Sequence, residues 1–136
     1  MALIAPQGAN KLRPLIVDDA RRGELEAEAL TLASLMISSA AAANAVMMGA
    51  GYFTPLSGYM NRADALSVAE NMRTSDGLFW PVPVVNLTES CPVEAGQRLA
   101  LTDPNREGHP LLAVMTVDAI ETLSDEDVAT ILDKVF

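Results

Sequence analysis

Three turn signals divide the second half of the chain, and they limit its fold more than any other feature. Glycine, proline, aspartate and asparagine concentrate at 75–77, 92–96 and 103–108. The runs that follow these turns are apolar and rich in β-branched or aromatic residues, which predicts strands at 78–87, 98–102 and 111–117. Pro81 and Pro83 cannot donate hydrogen bonds to a neighbouring strand, so we expect the first run at a sheet edge. Short strands joined by tight turns predict a small mixed β barrel of the α+β class.

Helical patterns occupy most of the first half, after a short apolar run at 14–17 that predicts a first strand. Apolar residues at helical spacing predict a short amphipathic helix over 24–33. A second helix is predicted over 39–48, with a serine N-cap and with Gly49 and Gly51 placed to end it. A third is predicted over 61–72, with one apolar face formed by Ala65, Val68, Ala69 and Met72. Together these patterns predict short helices that flank the sheet.

The tail of the chain resembles a capped helix. Ser124 and Asp127 have the spacing of a capping box, with aspartate in place of the usual glutamate or glutamine. An apolar stripe follows at Val128, Ile131, Leu132 and Val135, and it reaches the last residue without a polar tail. We therefore expect these residues to be a fragment of a longer protein. We also expect the stripe at 128–136 to contribute to an exposed apolar patch, so that the isolated piece self-associates or exchanges its last helix.

The charge balance argues against a nucleic-acid partner. The 136 residues carry 18 acidic and nine basic side chains, for a formal net charge of −9. Proteins that bind a phosphate backbone use clustered lysine and arginine, whereas the one adjacent pair here, Arg21 and Arg22, is followed by three glutamates. No basic leader with an apolar core and no apolar run long enough to span a membrane is present, so we expect a cytoplasmic protein without membrane contact.

Residue types that could carry chemistry are few and isolated. His109 is the single histidine, and its place between Gly108 and Pro110 predicts a surface residue rather than a catalytic base. Cys91 is the single cysteine, so no disulfide forms within the chain, and no Lys, Arg or His beside it activates the thiol. Gly49 and Gly51 are followed by Thr54 where a dinucleotide-binding loop needs a third glycine, so we interpret them as a helix end. From the residues we predict no catalytic, cofactor-binding or metal-binding residue in this chain.

Other candidate features have ordinary explanations. Asn86 begins a glycosylation sequon, which carries no weight without a secretory leader. Met47, Met48 and Met72 are predicted to fill a core or an interface rather than to bind a ligand.

Three segments resemble the amino-terminal region of the ATP sulfurylase (sulfate adenylyltransferase) family. The first is Gly51-Tyr-Phe-Thr-Pro-Leu-Ser-Gly-Tyr-Met60, similar to the family's G-x-F-S/T-P-L-x-G-F/Y-M. The second is Met72-Arg-Thr-Ser-Asp-Gly-Leu-Phe-Trp-Pro-Val-Pro-Val84, similar to M-R-x-x-D/N-G-x-x-W/F-P-V/I-P-V/I. The third couples Leu99-Ala-Leu-Thr-Asp-Pro104 with Leu112-Ala-Val-Met-Thr-Val117. Their common order makes the resemblance specific.

The resemblance implies a PUA-like pseudobarrel that fills residues 1–136 as one amino-terminal domain. Members of the family transfer the adenylyl group of ATP to sulfate, or run the reverse. They do so with a Q-x-R-N-P-x-H-x-x-H motif and a later G-R-D segment in the following domain. Neither motif is present, and a single histidine cannot supply the two-histidine motif. The resemblance therefore implies a structural or interface domain without catalytic residues or cofactor. Its implied partners are the catalytic domain of the same polypeptide and further copies in a homo-oligomer.

One segment departs from many assimilatory members of the family, which have an acidic D-L-E-M-type helix before the first glycine. This chain has Ala43-Asn-Ala-Val-Met-Met48 there, which is similar to the branch of sulfur-oxidising and sulfate-respiring bacteria. A free-standing PUA-like module that binds RNA or protein is the alternative, and a small nucleotide-binding enzyme that uses Gly49 and Gly51 is a third possibility.

Overall fold

The computed structural model describes residues 5–9 and 11–135, and this part of the chain contains four helices and three strands. In chain order they are α1 (Asp19–Ala29), β1 (Ser34–Met36), α2 (Ser39–Gly49), α3 (Arg62–Asn71), β2 (Arg98–Thr102), β3 (Leu111–Thr116) and α4 (Asp125–Val135). The described residues divide into two compact units. Unit 1 comprises the residues up to Gly58 together with Leu87–Asp118, and unit 2 comprises Tyr59–Asn86 together with the residues from Ala119 onward.

Unit 1 is built on a mixed three-stranded sheet with the order β1-β2-β3. β1 runs parallel to β2, and β2 runs antiparallel to β3, which confirms the predicted strands at 98–102 and 111–117 apart from one residue. Leu99, Ala100 and Leu101 in the central strand are all buried. Because successive side chains of a strand point to opposite faces, both faces of β2 are covered. The fold is of the predicted α+β class, and the described sheet is open rather than closed into a barrel.

The predicted strand at 14–17 is wrong. These residues have no regular secondary structure, and the amides of Leu15 and Ile16 donate to the carbonyl of Gly49 at 3.1 Å rather than to a strand. The last carbonyls of a helix have no partner within it, so a neighbouring segment can bind them. The segment therefore closes the end of α2 and forms no ladder.

The first two helices differ in how well local signals predict them. α2 begins after Ser38, whose side chain accepts from the amide of Ala41, so the predicted serine cap is confirmed. α1 covers residues 19–29 rather than the predicted 24–33. Its N-cap is Asp18, whose carboxylate accepts from the amide of Arg21 at 2.8 Å. An aspartate cap satisfies an otherwise unpaired amide, and it starts the helix before its apolar pattern begins.

Unit 2 contains two helices, α3 and α4, whose starts carry capping residues. α3 starts at the N-cap Asn61 and ends at Met72, which has a left-handed backbone with φ of 56°. Ala65, Val68 and Ala69 are buried as predicted, whereas Met72 is exposed. At the start of α4, Ser124 and Asp127 each bond the other's backbone amide, which confirms the capping box.

The predicted strand at 78–87 is also wrong. The structure has a single isolated bridge here, between Arg73 and Phe79, within the described residues. The amide of Trp80 donates to the carbonyl of Met72 at 2.9 Å, which folds the segment back onto the end of α3. Pro81 and Pro83 have no amide hydrogen and so cannot extend that bridge into a ladder.

None of the helices in the described part of the chain is both long and apolar enough to span a membrane. The organisation of residues 1–136 as one domain stays a prediction.

Candidate functional site

The first motif segment is held in place by the buried hydroxyl of Thr54. This hydroxyl donates to the carbonyl of Gly51 at 2.7 Å and accepts from the amide of Arg13 at 2.9 Å. Gly51 has a φ of 84°, and a Cβ there would lie 3.1 Å from the backbone nitrogen of Pro14. Only glycine combines that conformation with so close a neighbour at low cost. The loop at 51–56 is therefore a structural element that joins the end of α2 to the segment at 12–17.

The second motif segment forms a compact turn in unit 2. The buried Thr74 accepts a hydrogen bond from the amide of Leu78 at 3.1 Å, and its hydroxyl donates to Asp76. That hydrogen bond is the main cause of the lowered pKa of Asp76. Asp64 on α3 accepts from the amide of Ser75 at 2.8 Å, which ties the turn to the helix. The polar side chains that the motif places here bond to the turn itself.

The third motif pair is the hairpin of β2 and β3. Its connection is closed by the amide of Asp103, which donates to the carbonyl of Pro110 at 2.9 Å. His109 has a positive φ of 46° and is exposed, and its Nδ1 lies 3.1 Å from the carbonyl oxygen of Asp103. The predicted surface location of His109 is confirmed, and its ring supports the hairpin connection.

A bidentate ion pair fixes α1 on the sheet of unit 1. The guanidinium of Arg98 in β2 donates from Nε and Nη2 to the carboxylate of Glu28 at 2.8 to 3.0 Å. The hydrogen bond from Arg98 is the main reason that the pKa of Glu28 is lowered. Paired N–H groups and carboxylate oxygens give such contacts a defined geometry. Neither residue was singled out from the sequence, because they lie 70 positions apart.

A second bidentate ion pair links the first turns of α3 and α4 in unit 2. Arg62 donates from Nε and Nη2 to the two carboxylate oxygens of Asp127 at 2.9 and 3.1 Å. This hydrogen bonding lowers the pKa of Asp127, with a smaller contribution from the amide of Ser124, and it raises the pKa of Arg62. Tyr59 in the same unit has its pKa raised to about 12 by burial. The sequence predicted the capping role of Asp127 but not its ion pair.

Among the described residues, no group of three His, Cys, Asp or Glu side chains could hold a metal ion. Cys91 is half-buried with a free thiol. Gly49 ends α2, and Gly51 lies in the turn that follows, as predicted for a helix end. Met48 is buried, whereas Met47 is exposed, so the methionines divide between core and surface.

One cleft of about 490 Å³ lies in unit 1 between α1 and the sheet. Its charged lining includes Arg22, Glu26, Asp103 and Arg106, beside apolar residues of α1 and β3. Arg22 and Glu26 already form an ion pair at 2.9 Å. The cleft therefore carries both positive and negative side chains, and its charge favours neither an anionic nor a cationic ligand.

The most distinctive surface of unit 1 is apolar. Large apolar side chains are exposed both on the segment at 12–17 and at the end of α2 with its following turn. We call this surface the α2-end patch; its members are Leu12, Leu15, Ile16, Val17, Val46, Met47 and Tyr52. The sequence does not predict this patch, because the composition of the run at 14–17 favours a strand. In the predicted stripe at 128–136, Ile131 is fully buried, while the side chains from 134 onward lie outside the described residues.

Comparison with known proteins gives a consistent family. The profile of the PUA-like domain family matches residues 4–136. A sulfate adenylyltransferase of Alcanivorax borkumensis is 56% identical over 138 residues, which cover 100% of this chain and 34% of that protein. The sulfate adenylyltransferase of Allochromatium vinosum is 51% identical over 98% of this chain and 34% of its own length. That of the sulfur-oxidizing endosymbiont of Riftia pachyptila is 44% identical over 98% of this chain and 31% of its own length.

A solved structure, the hexameric APS kinase from Thiobacillus denitrificans, is also similar to the chain. It aligns with a TM-score of 0.68 and 34% identity, over 84% of this chain and 23% of that one. The chain spans about a third of the length of the curated relatives it matches. These relatives confirm the resemblance inferred from the three motif segments.

Proposed function

The chain belongs to the PUA-like domain family, and we propose that it serves as the amino-terminal, non-catalytic domain of a sulfate adenylyltransferase. The observation that carries this proposal is the extent of the match. The chain is 56% identical to the Alcanivorax borkumensis enzyme over its whole length, and the aligned region covers 34% of that enzyme. The remaining two-thirds of such an enzyme is where we place the transfer of the adenylyl group between ATP and sulfate.

The geometry of the motif segments supports a structural role. Thr54, Thr74 and Asp64 each bond backbone groups of the segment they belong to or adjoin. A catalytic group instead needs donors or acceptors directed at a bound substrate. The polar side chains of these motifs therefore fix loops, and we infer that the motifs preserve the shape of the domain.

The partners we propose are the catalytic domain of the same polypeptide and other copies of the complete enzyme. The hexameric state in the name of the similar APS kinase supports an oligomeric assembly. The sulfur-oxidizing source of one relative supports placement in the sulfur-oxidising and sulfate-respiring branch. We further propose a cytoplasmic location.

A chimera tests the proposal. This chain replaces the matching third of the Alcanivorax borkumensis enzyme, and sulfate-dependent release of pyrophosphate from ATP is measured. We expect the chimera to be active and the purified 136-residue chain to be inactive. The parent enzyme is the positive control, and the parent without its matching third is the negative control. Activity of the chain alone, or a folded but inactive chimera, would contradict the proposal.

A further inference from the structure

The α2-end patch groups seven exposed large apolar side chains of unit 1. Ile16 is 77% exposed, Tyr52 69% and Val46 59%. Single exposed apolar residues are ordinary on a soluble protein, whereas a contiguous group marks an interface.

Backbone hydrogen bonds hold the patch in one shape. The amides of Leu15 and Ile16 bind the carbonyl of Gly49, and the amide of Tyr52 binds the carbonyl of Met47 at 3.0 Å. Pro14 also lies close to Gly51, because a Cβ added there would be 3.1 Å from the Pro14 nitrogen. The two parts of the patch are therefore joined through the end of α2. A preformed surface loses little conformational entropy when it is covered.

We propose that the α2-end patch is the surface on which the remaining two-thirds of the enzyme polypeptide docks. This inference rests on the proposed function, and it names the docking surface that the proposed function requires. The length of the relatives identifies the polypeptide that covers the patch. Their unmatched part is about twice as long as the part they share with this chain. A covalently connected partner is present at high effective concentration, so the patch is covered within one molecule.

Charge disfavours a second copy of this chain as the occupant. Each copy carries a formal charge of −9, and like-charged surfaces repel when they approach. The patch itself is uncharged, and Lys11 and Arg13 are interspersed with its first residues. A partner that covers the patch therefore has an apolar centre and meets basic groups near the segment at 12–17.

The test uses the chimera with the substitutions Ile16→Glu and Val46→Lys, which introduce opposite charges into the patch. Leu30→Glu is the matched control, because Leu30 is 90% exposed in the same unit but lies outside the patch. Calorimetric unfolding and the half-life of activity on heating are measured for each chimera. The same substitutions are made in the 136-residue chain, where unfolding and sedimentation are measured.

We expect both patch substitutions to lower the unfolding temperature of the chimera by about 2 °C or more and to shorten its half-life roughly tenfold. Leu30→Glu should leave both unchanged, and the isolated chain should unfold alike with or without the patch substitutions. Patch variants that match Leu30→Glu in the chimera would overturn the docking surface. So would dimers of the isolated chain that Ile16→Glu abolishes.

The two proposals fail in different ways. An inactive chimera whose unfolding temperature still falls with the patch substitutions refutes the proposed function and supports docking. An active chimera that is insensitive to them supports the proposed function and refutes docking.

Discussion

Thr54 and Gly51 show how single atoms fix the first motif loop. The Thr54 hydroxyl has both a donor and an acceptor partner although it is buried, so its desolvation is compensated. Gly51 supplies the left-handed backbone and the close approach to Pro14 that the loop needs. The sequence motif therefore reflects a requirement of backbone geometry.

Two glycine substitutions should change stability in opposite directions. Gly51→Ala forces a side chain into a left-handed backbone against Pro14, and we expect a loss of about 1–3 kcal/mol in the free energy of unfolding. Gly23→Ala lies within α1 with nothing within 4 Å of the new Cβ, and we expect a gain of about 0.5–1 kcal/mol. Urea denaturation measures both. A loss for Gly23→Ala, or no change for Gly51→Ala, would contradict the conformational argument.

At the scale of elements, the first turns of α3 and α4 share one carboxylate. Asp127 caps its own helix through the amide of Ser124 and also receives both donors of Arg62. Negative charge near a helix N-terminus is stabilising. The carboxylate charge of Asp127 therefore stabilises the start of α4 and also attracts Arg62. The position of α4 beside α3 therefore depends on the ionisation of Asp127.

Acid should weaken this arrangement in a predictable pH range. The pKa of Asp127 is lower in the folded protein than in the unfolded chain, where it is about 3.9. The ionised carboxylate therefore stabilises the fold fully above about pH 3.9, and this stabilisation is lost as the pH falls through the folded pKa. We expect Asp127→Asn to be less stable than the parent at neutral pH and to lose less stability between about pH 5 and pH 2. Urea denaturation across that range measures the difference. The control is Asp118→Asn, which removes an exposed carboxylate outside the four ion pairs of the described residues. Parallel curves for the parent and Asp127→Asn would refute the assignment.

The outer edge of β3 has backbone amides that should differ in protection from solvent. The amide of Ala100 donates to the carbonyl of Ala33 at 3.0 Å, so it points toward β1 and away from β3. Ala100 is paired with Val114 across the hairpin, and in such a pair the amide of Val114 also points away from β2. The alternation of antiparallel pairs directs the amide of Met115 toward Leu99. We expect the Met115 amide to exchange with solvent at least about tenfold more slowly than that of Val114. Hydrogen exchange followed by NMR measures this, with Ala100 as the protected reference. Equal protection of Val114 and Met115 would mean that another segment covers the edge.

The elements that could be predicted from sequence are those that local hydrogen bonds define. Helix caps are formed by Asn61, by Ser38 and by the Ser124–Asp127 box. Each capping side chain bonds an amide three residues away, so both partners lie within one short stretch of sequence. The runs at 14–17 and 78–87 have strand composition, but their backbone groups bind Gly49 and Met72 instead. Such partners are set by tertiary structure. The α2-end patch was not predicted for the same reason, because its two parts are joined by tertiary contacts such as the hydrogen bonds to the carbonyl of Gly49.

For the whole molecule, acidic side chains dominate the charge. In the described part of the chain, four arginines already pair with carboxylates, namely Arg21, Arg22, Arg62 and Arg98. Acidic residues outnumber basic ones by two to one, 18 against nine. A net negative charge opposes the approach of a polyanion, so we expect no RNA binding by this chain.

The charge distribution predicts that the chain does not bind RNA. Proteins gain affinity for RNA when clustered basic side chains neutralise phosphates and release the bound counterions into solution. A chain of net charge −9 without such a basic cluster in its sequence lacks this source of affinity. We expect no change in the fluorescence anisotropy of a labelled single-stranded RNA as the chain is titrated, from low to physiological salt. A basic protein of similar size is the positive control, and its binding should weaken as salt is added. Saturable binding by this chain that weakens in the same way would establish a basic surface and favour the RNA-binding alternative.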